Sequence, residues 1–378
     1  MFPRLTPSDH PMDEKIPVLI MLPPKGSSEA EAWVAAGRLA AACDLAERVK
    51  TIPLAGPCYL LAHEQADQLV LQEMGFDQIQ VSVKPFHFGD VLAKIISEYH
   101  LDRLAYFGGA SAPLMGEKDL QKVFEQVLRQ KTPTAVVNNL YSSDWAVFNN
   151  ARIIEGIKSQ LPSDNPLGWV MQQEAQFDVR ALLPSASSRL DIDTPVDLLL
   201  LHGHPGIGRH CRDFLSQTNQ PLLDSISNLR RVLQTPASTL SIIGRASSAV
   251  WKEMEERTKI WVRIYVEERG MVASQRLARG EVQSLIADMV DELRPGGFLA
   301  RLGQMSDAVI WDTRVWMGSR GTWPSAADRF AADLGWINQI SDEALRNLTI
   351  AIKESPIPVV AGGHGVVAGG LLALLETL

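Results

Sequence analysis

The stretch Leu104–Met115, Leu-Ala-Tyr-Phe-Gly-Gly-Ala-Ser-Ala-Pro-Leu-Met, constrains the fold of this chain more than any other. A short apolar run stops at two glycines, a small polar loop follows, and a proline closes it. Leu120, Val123, Phe124, Val127 and Leu128 then recur at i, i+3, i+4, i+7 and i+8, the spacing of an amphipathic helix. A buried strand that feeds a glycine loop and then a helix is the repeating piece of an α/β sheet. In open sheets of that kind, ligands bind just beyond the carboxyl ends of the strands. Gly108 and Gly109 lack a Cβ and would let a ligand approach the backbone. The same sequence also suits a tight strand-to-helix turn that touches nothing.

The pattern repeats through the first half. Ile16–Leu22 reads as a strand, followed by Pro23–Ser28 and a helix reaching about Lys50. Ser28 and Glu31 have capping-box spacing. Trp33, Ala36, Leu39, Ala40 and Cys43 form the expected buried stripe. Lys25, in the loop before this helix, is a candidate anion contact, with a solvated loop lysine as the alternative. Cys58–Ala62 and Ile79–Val83 read as strands with a helix near Glu64–Glu73 between them. Asp90 is expected to cap the helix that carries Leu92, Ile95 and Ile96, and Thr134–Asn138 reads as a further strand. Strands alternating with helices imply a parallel sheet of right-handed βαβ units.

Two polar stretches carry candidate chemistry. In Val136–Phe148, Asn138, Asn139, Ser142, Ser143 and Asp144 sit between apolar pieces. Asn and Ser can hydrogen-bond a base or ribose, and Asp144 could hold a divalent cation through oxygen; turn stabilisation is the alternative. In Ser187–Leu199, Asp191 and Asp193 would share one face if the segment were a strand. Thr194 and Pro195 then open a helix. Two like charges on one face invite a cation between them, which makes Asp193 a candidate magnesium ligand.

Residues 16–203 resemble the nucleotidyltransferase superfamily with a GT-A-like fold, most nearly the molybdenum-cofactor and phospholactate guanylyltransferases. The resemblance rests on Ile16–Leu22, on the central loop Gly108–Pro113, and above all on Asp-Ile-Asp-Thr-Pro-Val-Asp-Leu at 191–198. It implies a magnesium-dependent transfer of a nucleoside monophosphate to an acceptor phosphate. Lys25 would contact phosphates, Gly108, Gly109, Ser111, Asn138 and Asn139 would face the nucleotide, and Asp144 or Asp193 would carry magnesium. Two positions depart from the family. Its glycine-rich first loop shrinks here to Pro23–Ser28, with one Gly and one Lys. Ser111 stands where the family's central loop has a metal-binding Asp two residues before the proline.

The second half resembles no family. His202, His204, His210 and Cys211 surround a Pro-Gly-Ile-Gly junction at a spacing that matches no established zinc motif. Beyond it, four expected strands, Thr239–Ile243, Ile260–Val266, Asp307–Trp311 and Ile357–Ala361, all end in charged or glycine-rich clusters. If they run parallel, Arg245, Glu267, Glu268, Arg269, Asp312, Arg314, Gly363 and His364 line one edge. Arginine recognises phosphate or carboxylate bidentately, and Gly362–Gly365 could cradle an anion. His364 is a candidate general acid or base. Salt bridging among these residues is the plainer reading of the same pattern.

The expected architecture is therefore α/β: a tail (1–15), a GT-A-like, mostly parallel sheet domain (16–203), and a second, three-layer α/β domain (204–378). At 378 residues the chain is too long for one ordinary core. A net charge of −8 argues against a nucleic-acid partner, and no apolar run is long enough to span a membrane. Three cysteines without metal spacing point to a reducing, cytoplasmic setting. The leading expectation is an enzyme acting on a nucleotide or nucleotide-activated small molecule, with catalytic candidates Asp144, Asp193 and His364. Its rivals are a nucleotide-binding regulator that has lost chemistry, and an enzyme whose only centre lies in the second half. Oligomeric state is not legible.

Overall fold

The computed structural model describes residues 15–62, 76–78, 85–218 and 220–378. The expected helix near Glu64–Glu73 and strand Ile79–Val83 lie outside these residues. The chain packs as two units, Met1–Pro24 with Ala41–Leu183, and Lys25–Ala40 with Pro184–Leu378. The division falls within the helix Glu29–Lys50 and again at 183/184, whereas the sequence reading places its boundary at 203/204.

The first unit is built on β1 (Ile16–Met21), β2 (Ala55–Leu61), β3 (Asp77–Gln78), β4 (Arg103–Gly108), β5 (Thr134–Val137), β6 (Trp145–Asn149) and β7 (Asp178–Ala181). They form one sheet in the order β3-β2-β1-β4-β6-β5-β7. Every pairing is parallel except the two made by β6, which runs against β4 and β5. This strand was missed in the sequence because its polar approach, Asn138–Asp144, reads as a loop; it is the connection that turns the chain from β5 into β6. β4, β5 and β6 are almost wholly buried, and their near-continuous apolar runs are what a sheet covered on both faces requires.

Helices supply the cover. In Phe88–Glu98 the residues Val91, Leu92, Ile95 and Ile96 face inward, and in Glu117–Leu128 Leu120, Val123, Phe124 and Val127 do so. The first of these is capped by His87, whose Nδ1 accepts from the Asp90 N–H at 3.4 Å, so Asp90 occupies the first turn instead of the cap. The capping box at Ser28 and Glu31 forms in both directions, at 3.0 and 3.1 Å. Of the expected stripe Cys43 is buried, Trp33, Leu39 and Ala40 are half-buried and Ala36 is exposed, while Ala30, Val34, Ala41, Leu45 and Val49 are among the helix's buried positions. The stripe is displaced because an alanine-rich helix has almost no apolar contrast between its faces.

The second unit holds β8 (Thr239–Gly244), β9 (Trp261–Val266), β10 (Ala308–Asp312) and β11 (Val359–Gly362), in the order β11-β10-β8-β9. All three pairings are parallel, so the four carboxyl ends do share one edge. Gly244 sits there at φ +118°, and a Cβ on it would lie 2.5 Å from Asp312 Cβ. Glycine is needed at that point both for its backbone angle and for the close approach of β8 to β10. Trp311 packs on Phe298 beneath the edge, ring centres 5.4 Å apart. Asp191–Asp193 is not a strand. Arg189 ends a short helix, Thr194 caps the next (Pro195–Leu200), and the residues between are irregular apart from a single bridge residue at Asp191. Among the described residues no helix is long and apolar enough to cross a membrane.

Candidate functional sites at two sheet edges

In the first unit, strand register places the candidate residues together. Met21 lies opposite both Leu61 and Gly108, Phe107 opposite Trp145, and Val137 opposite Ala146. Gly108, Asn138 and Asp144 therefore meet at the edge formed by the carboxyl ends of β4 and β5 and the start of β6. Asn138, almost fully buried, binds Asp144 twice: its Oδ1 accepts from the Asp144 N–H at 2.9 Å, and its Nδ2 donates to Asp144 Oδ2 at 2.5 Å. The Gly108 N–H donates to the Asp144 carbonyl at 2.9 Å. Beside them the Tyr106 hydroxyl donates to Asp164 Oδ2 at 2.7 Å.

Three expected nucleotide contacts are otherwise engaged. A Cβ on Gly109 would meet Met21 O at 2.7 Å and Leu22 Cα at 2.8 Å, so this glycine lets the loop close on the end of β1 and does not open a path to a ligand. Ser111 is buried, with both its N–H and Oγ donating to Gly108 O, at 2.9 and 2.8 Å. Asn139 Oδ1 accepts from the Tyr141 N–H at 3.3 Å, a local turn. Lys25 is exposed and belongs to the second unit.

Asp164 escaped the sequence reading. Its only local signal is the Ser-Asp-Asn-Pro run at 163–166, ahead of the helix Leu167–Glu174. From the Cβ position of Gly108, the Asp144 carbonyl is 3.0 Å away and Asp164 Oδ2 3.7 Å. Asp164 Oδ2 and the Asp144 carbonyl thus both lie beside Gly108, with the Asp144 carboxylate held on the Asn138 amide. Magnesium is commonly carried by one or two carboxylates with water and substrate phosphates completing its shell, and this donor set fits that mode.

Asp193, the other candidate for magnesium, lies in the second unit and is exposed. Arg38 fixes the backbone beneath it, its Nε donating to Ile192 O and its Nη2 to Asp193 O, both at 2.8 Å. Asp197, unremarked in the sequence, is wholly buried. Its Oδ2 accepts from the Thr194 N–H and hydroxyl, both at 2.8 Å, while among the described residues Oδ1 has no hydrogen-bond partner. Burial, reinforced by the nearby Asp193 charge, pushes its carboxyl up to about 7.

At the carboxyl edge of the second sheet, the arginines are paired. Arg245 grips Asp312 bidentately, Nε to Oδ2 at 2.6 Å and Nη2 to Oδ1 at 3.1 Å. Arg314 is buried in a second bidentate pair with Asp333, at 2.5 and 3.0 Å. Glu268 binds Arg276 at 2.7 Å, and both Glu267 oxygens accept from Ser284 Oγ at 2.8 and 2.9 Å. Burial raises Glu267 above the ordinary carboxylate range despite Ser284. Full burial alone would raise Asp312 too, but the charge and hydrogen bonds of Arg245 outweigh it and hold the carboxyl low.

The glycine loop after β11 is not an open cradle. A Cβ on Gly362 would meet Val196 at 2.8 Å, on Gly363 Thr194 at 2.6 Å, and on Gly365 the Asp197 Oδ1 at 1.8 Å. The 194–197 turn fills the space that an anion would need at Gly363. His364 follows in this loop, partly exposed and partly packed on by the surrounding protein. Desolvation by the surrounding protein, followed by the Arg245 charge, lowers its pKa, with Asp312 and Asp193 opposing. Arg245, Asp312, Asp193 and His364 therefore form one electrostatic neighbourhood, in which the imidazole is biased to its neutral, proton-accepting form.

No family model and no curated protein matches the chain. Among solved structures, it is similar to a cytidylyltransferase from Leptospira borgpetersenii, at 17% identity and a TM-score of 0.35 over 50% of this chain and 84% of that one. A CMP-2-keto-3-deoxy-manno-octonic acid synthetase complexed with CTP aligns at 11% identity and 0.33, over 44% and 89%. A protein described as a nucleotide-diphospho-sugar transferase, from Desulfovibrio desulfuricans, aligns at 12% and 0.39, over 54% and 93%.

Proposed function

We propose that the first unit binds a nucleotide, or a nucleotide-activated small molecule, at the carboxyl edge of its sheet, with magnesium carried on Asp144 and nucleotidyl transfer as its chemistry. One observation carries this reading: Asn138, Asp144 and the Tyr106–Asp164 pair, from separate segments of the chain, converge beside Gly108 where β4 and β5 end and β6 begins. Polar groups gathered outside the carboxyl ends of an open sheet are the usual seat of a ligand in α/β proteins. Asp144, whose carboxylate accepts from the Asn138 amide and whose N–H donates to Asn138 Oδ1, would carry the cation through a carboxylate oxygen. Magnesium, when bound, would neutralise charge developing on the phosphates.

Calorimetric titration with the four nucleoside triphosphates, with and without magnesium, tests the reading. At least one should bind in a magnesium-dependent way, and Asp144→Asn should weaken it about tenfold or more, the scale of one charge-assisted contact. Pyrophosphate release on adding an acceptor phosphate separates transfer from binding alone.

A second reading has its own observation. His364 follows the end of β11, in the field of the Arg245–Asp312 pair at the carboxyl edge of the other sheet, a setting for proton transfer. If that edge is the active centre, His364→Ala abolishes turnover while triphosphate binding is retained.

A further inference from the structure

We propose that the groove beside the edge strand β9 binds a small apolar molecule carrying a single carboxylate, a site in the second unit that is independent of the nucleotide reading. The groove has a volume of about 470 Å³, within the range of small-molecule sites. One wall is the face of β9 that presents Val262, Ile264 and Val266, alternate residues of one strand. The other is the helix Ser248–Arg257, through the Trp251 ring.

This lining is unusually open for apolar residues. β8, β10 and β11 are almost wholly buried, yet Val266 is 54% and Trp251 39% exposed. Among the described residues β9 pairs only with β8. The helix covers its face incompletely, leaving a slot between indole and strand. Contiguous apolar surface of this kind is characteristic of binding sites.

The polar end of the groove gives the occupant its charge. Ser247 and Ser248 follow β8, and Arg269 follows β9, so all three stand just past carboxyl ends of strands. Arg245, Arg276 and Arg314 are each spent on an aspartate or glutamate. Arg269 makes no ion pair among the described residues, and Ser247 makes no side-chain capping bond. A guanidinium and hydroxyls at the mouth of an apolar slot match a carboxylate in both charge and geometry. Among the described residues Arg269 is the one charged residue lining the groove, and a single guanidinium suits a monoanion better than a dianion such as a phosphate monoester.

The test follows the Trp251 indole N–H resonance of the full-length, ¹⁵N-labelled protein, assigned by its loss in Trp251→Phe. The probes are 2-naphthoate, its neutral counterpart 2-naphthamide, and phenyl phosphate. Naphthoate should shift the resonance saturably. Naphthamide should bind about tenfold or more weakly, and Arg269→Gln should weaken naphthoate to a similar degree. Unchanged remaining indole signals certify that the variant is folded. The proposal is overturned if naphthoate leaves Trp251 unmoved, if acid and amide bind alike, if Arg269→Gln has no effect, or if phenyl phosphate is the tighter ligand.

Discussion

Arg245 and Asp312 join the carboxyl ends of β8 and β10 through a two-pronged ion pair, 2.6 and 3.1 Å, made possible by Gly244 at φ +118°. Asp312 is fully buried and Arg245 is 15% exposed, so the pair is a cross-brace of the sheet edge and not a free anion receptor. His364 takes its electrostatic environment from this brace.

Breaking the brace on one side should be costly. Asp312→Asn leaves the guanidinium without its counter-charge in a largely desolvated place, and unfolding free energy should fall by about 3 kcal/mol. Because the folded carboxyl is held below its ordinary value, the contribution is present at neutral pH and is lost as pH falls through the folded pKa. Urea midpoints of the two proteins at pH 7 and at progressively lower pH read both effects.

Asp197 behaves in the opposite sense. Its folded pKa is about 7, above the ordinary 3.8. In the interval between those values the folded state keeps a proton that the unfolded state has released, so stability declines as pH rises from about 4 to about 7. Asp197→Asn removes this titration and should flatten that portion of the profile, measured by urea denaturation across the interval.

Glycine substitutions separate close packing from chain flexibility. Gly109→Ala forces a methyl to within 2.7 Å of Met21 O and should destabilise by about 1–3 kcal/mol. Gly156, in a helical turn with nothing within 4 Å of its Cβ position, should accept alanine with a gain of about 0.4–1 kcal/mol. Thermal unfolding of the two variants gives the comparison.

The sequence made the alternation of strands and helices legible, because Ile16–Met21, Leu104–Phe107 and Thr239–Gly244 are apolar runs bounded by turn residues. The shared carboxyl edge of the second sheet followed from it. What the sequence withheld was partnership. Nothing local says that Arg245 belongs to Asp312, 67 residues on, or Arg314 to Asp333. The glycines at 362–365 look like a phosphate loop by composition, yet their absent side chains make room for Thr194, Val196 and Asp197. β6 was hidden because antiparallel reversal depends on the Asn138–Asp144 contact, which only the folded hairpin supplies. Asp164 joined the edge for the same reason, through a tyrosine 58 positions away.

Amide hydrogen exchange over residues 104–111 and 138–145, with and without saturating magnesium and each nucleoside triphosphate, tests the central claim most directly. The account predicts that at least one triphosphate slows exchange in both stretches together, because they form one edge. Unchanged exchange in both stretches with all four triphosphates would contradict it.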